Sequence, residues 1–260
     1  MSDDLRATAA RALPLLDLTD LNDDCTPADI DRLCQRARTP HGSTAAVCIY
    51  PRFVAQAAER LADDTVTVAT VVNFPSGGEA REDVVAATRT AIDEGADEID
   101  LVLPYRDFLA GDEASARAMV RAVAEACAGH ALLKVILETG ELGSDEAITA
   151  AANLAMEEGA DFIKTSTGKV AVNATPHAAR LMLSAIAARR EARPEAKEVG
   201  FKPAGGIRTT ADAGAYLALA DGILGHDWAT RDTFRFGASG VLDDLVAVLD
   251  GREAAASEGY

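Results

Sequence analysis

The sequence predicts an α/β protein, a single-domain (β/α)8 TIM barrel. Three observations carry that expectation: a length of 260 residues, a rhythm in which a short apolar stretch alternates with an alanine-rich helical one, and eight repeats of that unit. Strands joined by helical crossovers must run parallel. Eight such units in a chain of this length favour closure over an open doubly wound sheet. The 48% hydrophobic content and the absence of Gly/Ser- or Pro-rich runs exclude a mostly disordered chain. Residues 1–250 are expected to form the barrel, with soft first residues and a flexible tail at 251–260.

In chain order, strands are expected at 14–18, 45–50, 66–72, 98–103, 132–138, 161–166, 199–204 and 234–239. Helical periodicity fills 28–38, 52–62, 79–94, 113–128, 144–158, 175–190 and 210–219, and 240–249 follows the last strand. Thr26 before Pro27 and Thr175 before Pro176 are helix-start signals, an N-cap followed by a first-turn proline. The stretch 221–225 reads equally as helix end, loop or short strand. The segment Glu94-Gly95-Ala96-Asp97-Glu98-Ile99-Asp100 echoes Glu158-Gly159-Ala160-Asp161-Phe162-Ile163-Lys164. In both, a helix stops at a glycine suited to a left-handed cap and a strand starts shortly after. Equal spacing from the cap puts Asp100 and Lys164 at one height on the fourth and sixth strands, hence in one inward layer.

The formal net charge of -17 argues against nonspecific binding to nucleic acid or an anionic membrane. Any anionic substrate then needs local positive charge from the site itself. Cys25, Cys34, Cys48 and Cys127 show no zinc-like spacing, and the four histidines stand far apart, so reduced thiols and a cytoplasmic location are expected. No apolar run resembles a signal peptide or is long enough to cross a bilayer. An acidic surface fits a monomer or a homodimer built on outer helices.

Five expected strands carry a charge where Val or Ile would serve packing: Asp17, Asp100, Lys134, Lys164 and Lys202. Any one alone reads as a strand-end side chain reaching for water. Five together read as a mutually compensating cluster, the kind found at functional sites. Lys164, at the last apolar position of its strand, fits a Schiff-base nucleophile, which must attack a carbonyl unprotonated although a free lysine at pKa ~10.4 is almost wholly protonated at pH 7. Lys202 on the adjacent strand is the natural second cation, and Asp100 the natural proton shuttle.

A separate signal points to phosphate. The seventh strand runs into Gly205-Gly206-Ile207-Arg208, the eighth into Gly237-Ala238-Ser239-Gly240, and the sixth into Gly168-Lys169. Barrels often bind phosphate on the loops after strands seven and eight. Asn73, after the third strand, reads as an ordinary loop residue that could reach the site, and Glu138 ends the fifth strand on the same rim. The lysine-rich interior disfavours a metal.

These segments resemble the deoxyribose-phosphate aldolase family, class I aldolases on a TIM barrel. The resemblance runs through Leu15-Leu16-Asp17-Leu18-Thr19, Cys48-Ile49-Tyr50-Pro51, Asn73-Phe74-Pro75, residues 95–100, 134–140 and 162–173. It is most specific in Lys164-Thr165-Ser166-Thr167-Gly168-Lys169 with Gly200-Phe201-Lys202-Pro203-Ala204-Gly205-Gly206. It implies Lys164 as Schiff-base lysine, Lys202 as its perturbing neighbour and Asp100 as relay carboxylate, with Asp17 and Lys169 in the network near the substrate. Phosphate would sit on Gly168, Lys169, Gly205, Gly206, Arg208, Gly237 and Ser239; Gly240 replaces a second serine seen in close members. Tyr260 matches a terminal tyrosine that transfers a proton in some members. The implied reaction is cleavage of 2-deoxy-D-ribose 5-phosphate to D-glyceraldehyde 3-phosphate and acetaldehyde, with neither metal nor organic cofactor. Two readings stay open on the residues alone: a sugar-phosphate isomerase with a carboxylate base, and a non-enzymatic sugar-phosphate sensor.

Overall fold

In the computed structural model, which describes residues 3–252, eight parallel strands close into a barrel wrapped by helices. The strands are β1 (Leu16–Asp20), β2 (Ala46–Ile49), β3 (Thr67–Val72), β4 (Glu98–Val102), β5 (Leu132–Ile136), β6 (Phe162–Lys164), β7 (Gly200–Lys202) and β8 (Phe236–Ala238). Consecutive strands from β1 to β7 pair in parallel, and β8 pairs back onto β1, with Asp17 opposite Gly237. Between β7 and β8 the pairing runs through two bridges, Phe201 with Phe234 and Ala204 with Gly237, and through backbone bonds from Phe201 N–H to Thr233 O, Arg235 N–H to Phe201 O, Gly237 N–H to Pro203 O and Gly205 N–H to Gly237 O. A small antiparallel ribbon, Arg38–Thr39 with Gly42–Ser43, precedes β2.

The helices are α1 (Asp3–Ala12), α2 (Pro27–Arg36), α3 (Val54–Leu61), α4 (Arg81–Asp93), α5 (Tyr105–Leu109), α6 (Glu113–Cys127), α7 (Thr139–Leu142), α8 (Asp145–Glu157), α9 (Pro176–Ala192), α10 (Thr210–Leu224) and α11 (Val241–Leu249). Thr26 caps α2 in a reciprocal box with Asp29, and the Thr175 hydroxyl accepts from Ala178 N–H to start α9. Among the described residues, no helix is long and apolar enough to cross a membrane.

Three differences from the sequence expectation have physical causes. The first strand starts later, because Pro14 sits in a short 3-10 turn, Leu13–Leu15, where its fixed φ fits. The soft N-terminus is instead helix α1 from Asp3 onward. It packs on α10 and α11, tied down by paired contacts from Arg11 to Asp221 at 2.6 and 2.5 Å. Strands six to eight are only three residues long, since glycines and Pro203 turn the chain out of the sheet; isolated bonds such as Thr165 N–H to Lys202 O continue the pairing. The ambiguous stretch 221–225 is the end of α10, closed by Gly225 at a φ of 100°.

The sequence echo is structural. Gly95 and Gly159 both hold positive φ after α4 and α8, and side chains of Asp97 and Asp161 accept from Val68 and Leu133 N–H on the preceding strand. Each aspartate thus pins the start of its strand against the neighbour, fixing where Asp100 and Lys164 fall.

Gly200 shows how tightly the lower barrel is filled, for a Cβ there would lie 2.3 Å from the Phe162 ring, which is buried. Gly200→Ala should therefore cost about 1–3 kcal/mol by overpacking. Urea unfolding measures it, and an unchanged midpoint would show that the ring moves freely.

Candidate active site

Strand tilt in an eight-stranded barrel advances equal height by about one residue per strand. The register pairs Asp100 with Lys134 and Lys134 with Phe162, so two strands on from Asp100 the same height falls at Lys164. The inward side chains accordingly stack in layers. The upper one holds Cys48, Asp100, Lys164 and Gly237; below it lie Asp17, Ala69, Lys134 and Lys202, and below those Ala46, Glu98, Phe162 and Arg235. A core normally filled with branched aliphatics thus carries four cations and three carboxylates, all buried.

These charges are connected. Asp100 Oδ2 accepts from Lys164 Nζ at 2.7 Å and from Lys202 Nζ at 2.8 Å, so the two amines lie within two hydrogen-bond lengths of each other. Asp100 Oδ1 accepts from Lys134 Nζ at 2.9 Å. Lys202 also meets Asp17 at 2.5 Å, and Lys134 also meets Glu98. Arg235 closes the lower end, donating to Asp17 at 2.7 Å and to Glu98 at 2.9 Å. Lys164 differs from the other cations: its one ion-pair contact among the described residues is Asp100, and it lines the cavity above the stack, which the other three do not.

Burial by itself would raise the carboxylate pKa values and lower those of the lysines. The cluster reverses both. Lys134, Lys164 and Lys202 hold Asp100 well below the usual carboxylate range despite burial, and Lys202, Arg235 and Lys134 do the same for Asp17. Burial pulls Lys202 down, but Asp100 and Asp17 outweigh it and hold it above an ordinary lysine. Lys134 is likewise raised, by Asp100 and Glu98. Asp100 is therefore a charged acceptor shared by three amines.

A cavity of about 550 Å³ opens above this stack. Its wall brings together Lys164, Gly168, Lys169, Gly205, Gly206, Arg208, Gly237 and Ser239. Gly168 and Gly206 have positive φ, and a Cβ on either would meet nothing within 4 Å, leaving bare backbone at the surface. Gly205 is small for another reason, since a Cβ would strike Asn173 at 2.7 Å. Gly237 makes room for the stem of Lys202, whose Cε would lie 3.1 Å from a Cβ there. Lys169 is held at the rim by Asp23 at 3.2 Å, itself bonded to Tyr50 Oη at 2.8 Å.

Asp17 lies a layer below the cavity wall, fully buried between Lys202 and Arg235. Asn73 is turned away from the site, bonding Val102 O and Glu79 N–H to hold its own loop. Tyr260 falls outside the described residues. Sequence reasoning overlooked Glu98 and Arg235, although a charge between two aromatics in Phe234-Arg235-Phe236 breaks strand patterning in the same way as Lys164. It also overlooked Asn173, a cavity-wall residue whose Oδ1 is buried without a partner.

Among the described residues, no group of three or more His, Cys, Asp or Glu is arranged to hold a metal ion.

Comparison with known proteins agrees with this barrel. A DeoC/LacD family aldolase profile matches residues 11–224. A deoxyribose-phosphate aldolase of Agrobacterium fabrum is 59% identical over 257 residues, covering 98% of this chain and 97% of that one. A crystal structure from Toxoplasma gondii ME49, assigned to deoxyribose-phosphate aldolase, superposes with a TM-score of 0.86 at 27% identity, covering 96% of this chain and 99% of that chain. One from Coccidioides immitis, assigned likewise, gives 0.75 at 30% identity over 90% and 85%. The fold is that of a TIM-barrel aldolase, and the chain is an enzyme of that class. The chain belongs to the DeoC/LacD aldolase family.

Removing Arg235 leaves two buried carboxylates short of a partner, so Arg235→Met should destabilise the fold by about 3–5 kcal/mol in urea unfolding. The native pKa values of Asp17, Glu98 and Asp100 all lie below the unfolded ones. Their stabilisation is complete above the ordinary carboxylate range and is lost as pH falls through the lower native values. Acid destabilisation should therefore set in below about pH 4, as a pH series of urea midpoints would show.

Proposed function

We propose that the chain is a class I aldolase that reversibly cleaves 2-deoxy-D-ribose 5-phosphate to D-glyceraldehyde 3-phosphate and acetaldehyde through a Schiff base on Lys164. The observation that carries this reading is that Lys164 alone among the four interior cations meets the cavity, and its amine lies beside a carboxylate shared with two other amines. The 59% identical relative bears the name of that activity.

Lys134 and Lys202 each contact two or more carboxylates, whereas Lys164 contacts one and opens onto the cavity, so it is the amine that a carbonyl substrate can reach.

In the cleavage direction, the neutral Lys164 amine adds to the C1 aldehyde of the open-chain sugar phosphate. Loss of water from the carbinolamine gives the protonated imine. The C2–C3 bond then breaks as the C3 hydroxyl loses its proton, its electrons passing to C2 as an enamine and releasing glyceraldehyde 3-phosphate. Protonation at C2 and hydrolysis of the imine free acetaldehyde and restore the amine. Asp100 Oδ2, touching both Lys164 and Lys202, is placed to pass protons between Lys202 and the reacting nitrogen with the help of a water. The phosphate end fits the glycine backbones at 168, 205 and 206 and the side chains of Lys169, Arg208 and Ser239, which supply local positive charge and donors in a chain of net charge -17.

Borohydride reduction in the presence of acetaldehyde, followed by peptide mass mapping, tests this directly. An ethyl adduct on Lys164 is expected; turnover with no adduct at that residue would overturn the Schiff-base reading, and phosphate-sugar binding without turnover would point to a sensor. Lys202→Leu should move the rise of trapping rate with pH to higher pH, because the amine loses a cationic neighbour that opposes its protonation. An unmoved profile would remove Lys202 from that role.

A further inference from the structure

Glu138 and Asn73 are the two non-glycine residues among those described that hold a positive φ, 56° and 55°. Asn73 earns its conformation through the loop bonds already described. Glu138, at the turn from β5 into α7, is fully buried, and its carboxylate carries no contact to a lysine or arginine within ion-pair distance. Burial pushes its pKa up, and the hydrogen bonds from Thr167 and the more distant charge of Lys164 offset that only in part.

Its hydrogen bonds point to one target. Oε1 accepts from Thr167 N–H at 3.2 Å and Oε2 from the Thr167 hydroxyl at 2.5 Å. That hydroxyl in turn accepts from Lys169 N–H at 3.0 Å. One residue further on, Thr139 N–H donates to Thr165 O at 2.9 Å. The corner after β5 thus grips the chain leaving β6 by side chain and by backbone, over the residues that lead from Lys164 to Gly168 and Lys169. The left-handed turn at 138 is what brings the carboxylate back across β6, since an extended residue would carry the chain onward along the strand.

We infer that Glu138 is a positioning residue for the anion-binding end of the cavity, fixing the 167–169 loop through Thr167 so that Gly168 and Lys169 meet the substrate phosphate in a preformed arrangement. The inference rests on the proposed placement of phosphate in this cavity. It assigns a role to a carboxylate that neither lines the cavity nor forms an ion pair within the interior charge stack. A glutamine there keeps the shape but sets an amide N–H2 against one of the two Thr167 donors.

Steady-state cleavage of 2-deoxyribose 5-phosphate and of unphosphorylated 2-deoxyribose, measured with wild type, Glu138→Gln, Thr167→Val and the double variant, tests it, together with inhibition by inorganic phosphate. In Glu138→Gln, KM for the phosphorylated sugar and the inhibition constant for phosphate should both rise about tenfold, as for one lost buried hydrogen bond, with kcat changed less than about twofold. The loss on unphosphorylated sugar should be much smaller. Thr167→Val, which removes the hydroxyl and keeps the volume, should behave alike, and the double variant should be little worse than either single one. Equal losses on both sugars, an effect confined to kcat, or fully additive variants would overturn the inference. If wild type itself fails to discriminate between the two sugars, the placement of phosphate in the cavity falls, and the role of Glu138 falls with it. Should Glu138→Gln not fold, Thr167→Val alone carries the same expectation and the same refutation.

Discussion

The rest of the structure depends on the need to compensate charge inside a closed barrel. Seven ionisable side chains occupy layers where apolar ones would pack, and each can stay only because its own layer or an adjacent one supplies its counter-ion. Buried ion pairs gain little over apolar packing, so such a stack is poor evidence of stability and good evidence of function. It dictates small residues at fixed points, notably Gly237 beside Lys202 and Ala69 beside Asp17 and Lys134. It also sets the ionisation of Asp100, which three amines hold well below the usual carboxylate range.

Chemistry and anchoring occupy different parts of the molecule. The charged stack is built from strand residues, whose positions follow from register. The proposed phosphate end is built from loops after β6, β7 and β8, where glycine backbone is exposed. Rigid strands hold a reactive amine to a fraction of an ångström, while loops supply donors that must approach an anion closely.

Much of this was legible in the sequence, because the relevant signals were violations of pattern. A lysine in Phe-Ile-Lys-Thr and an aspartate in Ile-Asp-Leu-Val contradict an apolar strand, and the paired Gly-Ala-Asp segments fixed their relative height. Glu98 and Arg235 escaped because they lie near strand starts, where a charge passes for an end residue; only the closed barrel shows that those starts are covered. Glu138 escaped for a different reason. Its importance comes from a left-handed backbone angle, and nothing in the letters Leu-Glu-Thr-Gly reveals that the glutamate, with a glycine two residues later, takes the turn. The lengths of β6 to β8 were overread because buried residues continue outside the ladder: Thr165 and Ser166 after β6, Ala204 after β7 and Phe234 before β8.

The seam between β7 and β8 gives the charge stack a second meaning. Backbone hydrogen bonds cross it from Phe201 to Gly205, and inside them Lys202 on β7 reaches across to Asp17 on β1, while Arg235, just before β8, grips Asp17 and Glu98 on the far side. Side-chain ion pairs thus reinforce from within a wall that main-chain hydrogen bonds close. The network proposed to make Lys164 reactive also fastens strands on both sides of that seam, so a change at Lys202 or Arg235 acts on the barrel as well as on the site.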